Sequence, residues 1–189
     1  MGATSRKRTC LLGLALLVLV LVGAYALYVN VRRAYRANVV CAQQVENIQT
    51  ALAMYASDWG CFPDPEHWVD QLLADDALLD VRVFKCPEDV SDARSSYGMN
   101  RALGGLAPQN ILNGDHLVSV YETAHPGDNP SGDAEDVASP PRHYSPDSSG
   151  GMWLYKGNMY GYASGKMFGE QVDLPRRPTF EPELRSERQ

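Results

Sequence analysis

The chain has 189 residues, with 17 basic and 23 acidic side chains and a net charge of −6. Residues 1–40 hold six of the basic side chains and none of the acidic ones, so the remainder carries 11 against 23, a net of −12. A body this acidic excludes nucleic acid as a partner, because phosphate recognition needs a basic surface, and the length leaves room for one domain beyond a membrane segment.

A basic leader, residues 1–9, contains Arg6-Lys7-Arg8. It is followed by an uncharged apolar run from Cys10 to Val29. Twenty residues at ~1.5 Å each cross a bilayer as one helix. Eight leucines and four valines in the run, at roughly 0.3–0.6 kcal/mol each, favour insertion by about 4–7 kcal/mol. The spacing predicts a transmembrane helix over residues 10–30. A cleaved secretory signal is the competing reading, because Ala24-Tyr25-Ala26 resembles a small-x-small cleavage site. The run exceeds the roughly 7–15 apolar residues of a signal core, which favours a retained anchor. Either way the remainder is exported. Arg32, Arg33 and Arg36 follow the span, yet the short leader is the easier end to leave inside.

Helical periodicity continues past the span. Cys41, Val45, Ile48, Leu52 and Tyr55 draw one apolar stripe, with Gln43, Gln44, Glu46, Asn47 and Gln49 between them. No proline interrupts residues 10–61, and Gly60 followed by Pro63 supplies a stop. The expectation is a single helix from about Thr9 to Asp58, roughly 75 Å long, with residues 31–60 its amphipathic part. That geometry limits the cysteines. Cys41 and Asp58 lie about 25 Å apart along a straight helix, and three further residues reach back about 10 Å. Cys41 therefore cannot bond Cys61, whereas Cys86 can meet either. Without a C-x-x-C pair or haem signature, a structural disulfide is expected in an oxidising compartment. Cys41–Cys86 is the pairing favoured, contributing about 4 kcal/mol on the chain-entropy model. Cys61 is then the odd thiol.

Beyond Pro63 the elements shorten. His67 to Leu79 reads as an amphipathic helix and Val81–Phe84 as a brief extended segment. Ser95–Asn100 and Leu117–Glu122 alternate as strands. His125 to Pro146, rich in Pro, Gly, Ser and Asp, reads as a surface loop. Trp153–Tyr155 and Met159–Phe168 read as strands joined by a turn at Lys156-Gly157-Asn158. The tail, residues 175–189, is charge- and proline-rich and is expected to be disordered. The fold class is α+β: one long N-terminal helix packed on a small antiparallel sheet, with the exported domain spanning residues 31–174.

Particular residues carry a family resemblance. Cys41 precedes Asn47-Ile48 through Asp58-Trp59-Gly60-Cys61-Phe62-Pro63. Trp68, Leu72, Phe84-Lys85-Cys86-Pro87 and Ser96-Tyr97-Gly98-Met99-Asn100 come next. This order resembles the pilin-like superfamily of type IV pilins and type II secretion pseudopilins. It is most similar to bacterial prepilin-type proteins with a processing-associated His-x9-Asp-Gly domain. Val118–Glu122 and Arg142-His143 look like later landmarks of that family. Two features depart from it. No glutamate enters the span and the prepilin peptidase site is absent. The closing Asp-Gly is replaced by Ser164-Gly165, with twenty residues between His143 and Ser164. The resemblance implies a single-pass inner-membrane protein with a periplasmic or extracellular head. Its partners would be the lipid bilayer and other copies or pilin-like subunits, in a pilus-like or type II secretion assembly. Gly13, Gly23 and Ala24 would then be close-approach points between helices. The alternative is an envelope protein that binds a glycan or cation on the same scaffold without polymerising.

Chemistry-bearing residues are sparse. There is no nucleophile elbow, phosphate-cradling glycine loop or His-Glu-x-x-His, so no enzyme, cofactor or metal is expected. His143 beside Arg142 is a ligand candidate, set against a histidine hydrogen-bonded within a turn. Asp128, Asp133, Glu135 and Asp136 form an acidic loop whose oxygens suit Ca²⁺, but their spacing matches no EF-hand and a solvated loop is the reading kept. Tyr121, Tyr144, Trp153, Tyr155, Tyr160 and Tyr162 offer a sugar-stacking platform or, as strand aromatics more often do, a sheet core.

Overall fold

A computed structural model describes residues 3–75, 80–139, 141–146, 154–157, 159–163, 167–169 and 179–185. The chain divides into two compact units, residues 1–36 and residues 37–189. One helix, α1 (Ala3–Trp59), runs through the boundary without interruption. It begins earlier than expected, because nothing in Thr4–Thr9 opposes a helix: no proline or glycine lies there. It stops at Gly60, whose φ of 77° is the left-handed conformation that closes a helix at little cost for glycine.

In the first unit every described side chain from Gly13 to Arg33 is exposed, the large leucines and valines included. A soluble protein does not leave a helix apolar all round in water. This helix is long and apolar enough to cross a membrane.

The second unit begins where burial begins, at Ala37. Cys41, Val45, Ile48, Ala51, Leu52 and Ala56 line the buried side of α1, which is the stripe that the 4-3-4-3 spacing draws. Its polar neighbours do more than face water. Gln49 is buried and its Nε2 donates to the Tyr162 carbonyl at 3.1 Å. Gln44 Nε2 donates to the Arg82 and Lys85 carbonyls at 3.0 and 2.9 Å.

Helix α2 (Trp68–Ala74) is shorter than its periodicity suggests, and residues 76–79 of that expectation lie outside the described residues. Asn129 Oδ1 accepts from the Val69 and Asp70 amides, and Trp68 packs edge-on against Phe84. Val81–Phe84 is a 3₁₀ turn rather than an extended segment. Asp80 Oδ1 accepts from the Arg82 amide at 2.9 Å and so closes the turn.

The main sheet runs β3 (Ser131–Gly132), β1 (Ser95–Asn100), β2 (Val118–Gly127), β6 (Met159–Tyr162), β7 (Met167–Gly169). Its pairs are antiparallel except for β1 with β3. The layout is thus the expected pilin-like α+β arrangement, a long N-terminal helix against a small sheet, with one parallel edge. Strands β4 (His143–Pro146) and β5 (Leu154–Gly157) form a separate antiparallel pair. The stretch from His125 to Pro146 is therefore not a plain surface loop. It holds the end of β2, strands β3 and β4, and the buried Ala138 and His143. β5 pairs with β4 and not with β6, so no hairpin forms about Lys156-Gly157; Asn158 lies outside the described residues.

Gly98 sits across from Tyr121, and a Cβ there would come 2.9 Å from the tyrosine ring. Tyr121, Tyr160 and Tyr162 form a second buried cluster, so these three aromatics are core. The side chains of Tyr144, Trp153 and Tyr155 lie outside what is described. Residues 179–185, placed in the disordered tail by composition, instead return to the body. Thr179 and Leu184 bridge Leu117 and Ile111, and Phe180 packs edge-on against Tyr121. Backbone pairing and one buried aromatic contact outweigh the polar composition there.

The division of α1 makes a direct prediction. Ile48→Ala removes a buried side chain and is expected to cost about 2–5 kcal/mol. Leu19→Ala, in the exposed stretch, should leave unfolding of the head unchanged. Urea titration of the full chain in mild detergent reads both.

Candidate functional site

Four elements bring Cys41 (α1), Cys86 (after the 3₁₀ turn), Glu122 (β2) and His143 (β4) together, with their donor atoms all within 4.8 Å of one another. Cys41, Cys86 and Glu122 are 0% exposed and His143 is 2% exposed. Two of these, Cys41 and Cys86, are the expected disulfide candidates, and His143 is the ligand candidate. Glu122 was not singled out by sequence reasoning.

Each member is held by its own local structure. Cys86 lies at the end of a segment tied to α1 through Gln44. Its amide donates to Ser96 Oγ at 3.0 Å, and that hydroxyl donates to Asp89 Oδ2 at 2.6 Å. Burial alone would raise the Asp89 carboxyl. Hydrogen bonds from Ser96, the Ser91 amide and Lys85 Nζ (3.0 Å) overcome this and hold it well below the usual carboxylate range.

Glu122 stands opposite Tyr97 in the β1–β2 ladder. The ladder breaks just beyond, where the register shifts between Ser95 and Tyr97. Arg142 fills the break, its guanidinium donating to the Ser96 carbonyl at 3.0 Å and the Thr123 carbonyl at 2.6 Å. Arg142 thereby fixes the position of His143 beside it. His143 Nε2 contacts Glu122 Oε1, and Nδ1 lies 3.1 Å from Asn38 Oδ1. Asn38 also escaped the sequence reading.

The electrostatics follow from burial and pairing. Burial is the largest influence on His143 and lowers it. Hydrogen bonds to Cys86 and Glu122 and their charges outweigh this and raise it to about 9. These contacts favour the imidazolium form, which faces the buried Glu122 carboxyl group. Cys86 Sγ lies 3.5 Å from His143 Nε2 and 2.7 Å from Cys41 Sγ. The hydrogen bond from Cys41, followed by the one from His143, takes the Cys86 thiol down to about 4 against the opposing effect of burial. Cys41 moves the other way, raised by the same sulfur contact and by burial.

Two thiols, an imidazole and a carboxylate are a donor set that suits Zn²⁺. Their arrangement does not leave room for it. Two sulfurs about 2.3 Å from one tetrahedral ion stand about 3.8 Å apart, well beyond the 2.7 Å here. His143 and Glu122 likewise meet in direct contact. The cluster is two closed couples, a sulfur pair and an ion pair, rather than a four-donor cage.

The other candidates do not join it. Asp133 and Asp136 make a reciprocal cap on a short 3₁₀ turn: Asp133 Oδ1 accepts from the Glu135 amide, and Asp136 Oδ2 from the Asp133 amide. Asp128 is exposed. Asp133 and Glu135 edge an open concavity of about 620 Å³ with Arg101 and Phe180. Cys61 is half-buried. Ser164-Gly165 lies outside the described residues. Compared with known protein families, characterised proteins and solved structures, the chain shows no match.

The pairing of His143 sets a pH dependence. Its folded pKa of about 9 exceeds the unfolded value of about 6.5. Its contribution is then fully present below pH 6.5 and lost as pH rises through about 9. With Cys41 and Cys86 kept as free thiols, Cys86 supplying much of that rise, the melting-temperature difference between wild type and His143→Gln is expected to hold below pH 6.5 and to shrink between pH 7 and 10. A difference that grows with pH contradicts this assignment.

Proposed function

We propose that the chain is a membrane-anchored, pilin-like structural protein of the bacterial envelope, with its head exported and no enzymatic role. One observation carries the reading. A single helix presents an all-round apolar surface over Gly13–Val31 and then supplies the buried stripe of a small α+β head from Ala37 onward. A helix of the first kind needs lipid or sister helices, and one of the second kind needs its own sheet. The motif order through residues 41–100 agrees with this.

In this reading the helix crosses the inner membrane once, with Arg6-Lys7-Arg8 inside. Copies meet laterally through their spans, in a pilus-like or secretion-type assembly. Gly13 and Gly23 have nothing within 4 Å where a side chain would stand, so a neighbouring backbone has close access there. The core cluster is built as a structural element: its four members are sealed from solvent, which suits fixing the head on its helix and not turning over a substrate.

Two measurements on native membranes test this. Crosslinking through cysteines introduced at Gly13 and Gly23 is expected to give a ladder of self-linked species. A persistent monomer would remove the assembly part and favour the non-polymerising glycan- or cation-binding alternative. The mass of the mature chain is expected to retain residues 10–30. A start at Leu27, after Ala26, would remove the anchor.

A further inference from the structure

The couple that the proposed structural role leaves unexplained is the sulfur pair. Its residues stand 45 apart in sequence, one on α1 and one at the end of a turn that Gln44 ties back to the same helix. Two sulfurs at 2.7 Å are nearer than shared coordination of one ion allows, by about an ångström. They are within 1 Å of the ~2.05 Å of a covalent bond. No other described thiol reaches either atom: Cys61 lies beyond the C-terminal end of α1, and Cys41 and Cys86 are both buried.

We propose that Cys41 and Cys86 are joined by a disulfide sealed inside the head, a permanent staple between α1 and the segment that follows the 3₁₀ turn rather than a couple that exchanges with solvent thiols. This rests on the export part of the reading above, because a reducing compartment keeps such thiols open. Closure consumes one disulfide oxidant. The Cys86 thiolate attacks an oxidant disulfide and expels one oxidant thiolate, which takes up the proton that Cys86 gave up, leaving a mixed disulfide. Cys41 then gives up its proton and attacks Cys86 Sγ, the bond to the oxidant breaks, and the second departing thiolate takes up that proton. Two protein thiols are oxidised and one oxidant disulfide becomes two thiols.

The Tyr97 hydroxyl, the remaining titratable group at the cluster, is held neutral by burial and donates to Gln44 Oε1 at 2.9 Å. Sealing has its own consequence. An external thiolate must reach a sulfur to reduce the bond, so reduction requires the head to open first.

The test is alkylation and peptide mass analysis of the full chain taken from membranes in blocking reagent. Under denaturing, non-reducing conditions Cys61 is expected to label, while Cys41 and Cys86 appear as one linked peptide pair 2 Da lighter than the free thiols. Native protein in excess dithiol is expected to keep the bond for at least a hundredfold longer than protein in denaturant. Free labelling of Cys41 and Cys86, together with failure to close when reduced chain is treated with oxidised glutathione, overturns the inference. So does a stoichiometric metal ion that protects both cysteines and is released by a chelator. Free thiols in the membrane sample that do close with glutathione support the pairing and overturn export instead. Fast native reduction overturns the sealed character of the bond.

Discussion

One helix has to satisfy two solvents. No charge and no polar side chain interrupts Leu11 to Ala24, and from Ala37 the same helix changes to a single buried stripe. Backbone hydrogen bonding is complete within a helix wherever it lies, so the backbone can pass from lipid to water without penalty. Side chains alone tell the two environments apart. This is why the head starts where alternation of apolar and polar residues starts, and why its buried cluster is built on the stripe of residues 37–56.

Inside the head, packing and polar satisfaction are interlocked. The apolar stripe of α1 meets Trp68, Phe84, Tyr97 and Leu117, while Gln44 and Gln49 bond to backbone carbonyls that the short elements leave free. Arg142 does the same where the β1–β2 ladder breaks. The buried Glu122–His143 pair is costly to desolvate and stays tolerable because each partner neutralises the other. Removing either would leave a lone charge in a sealed place, so the pair specifies how β2 and β4 come together.

Much of the fold was legible in the residues. Continuous apolarity followed by 4-3-4-3 spacing fixes α1, and Gly60 with Pro63 fixes its end. The strand at Ser95–Asn100 follows from alternation. The spacing argument also brings Cys86, rather than Cys61, to Cys41. What composition concealed was long-range pairing. His125–Pro146 has the residues of a loop, yet Gly127 and Ser131–Gly132 pair with the distant β1 and His143–Pro146 with β5. Thr179–Arg185 has the residues of a tail and is kept by backbone bonds with Asn110, Leu112, His116 and Val118 and by the Asn113 side chain. Glu122 left one usable signal, a carboxylate at the end of the strand-forming run Leu117–Glu122; nothing in the sequence pairs it with His143. Asn38 left none, since an asparagine on a helix reads as solvent-facing until its partner is known.

The account stands on residues 10–30 remaining in lipid while residues 37–185 form a head outside. Alkaline carbonate extraction of membranes, followed by protease added from the side that the head is proposed to face, measures this most directly. The chain is expected to stay in the membrane pellet after extraction, and protease is expected to leave a short fragment that begins in the basic leader and ends before Ala37. Release of the full-length chain into the soluble fraction, or a head protected from external protease in sealed membranes, would contradict it.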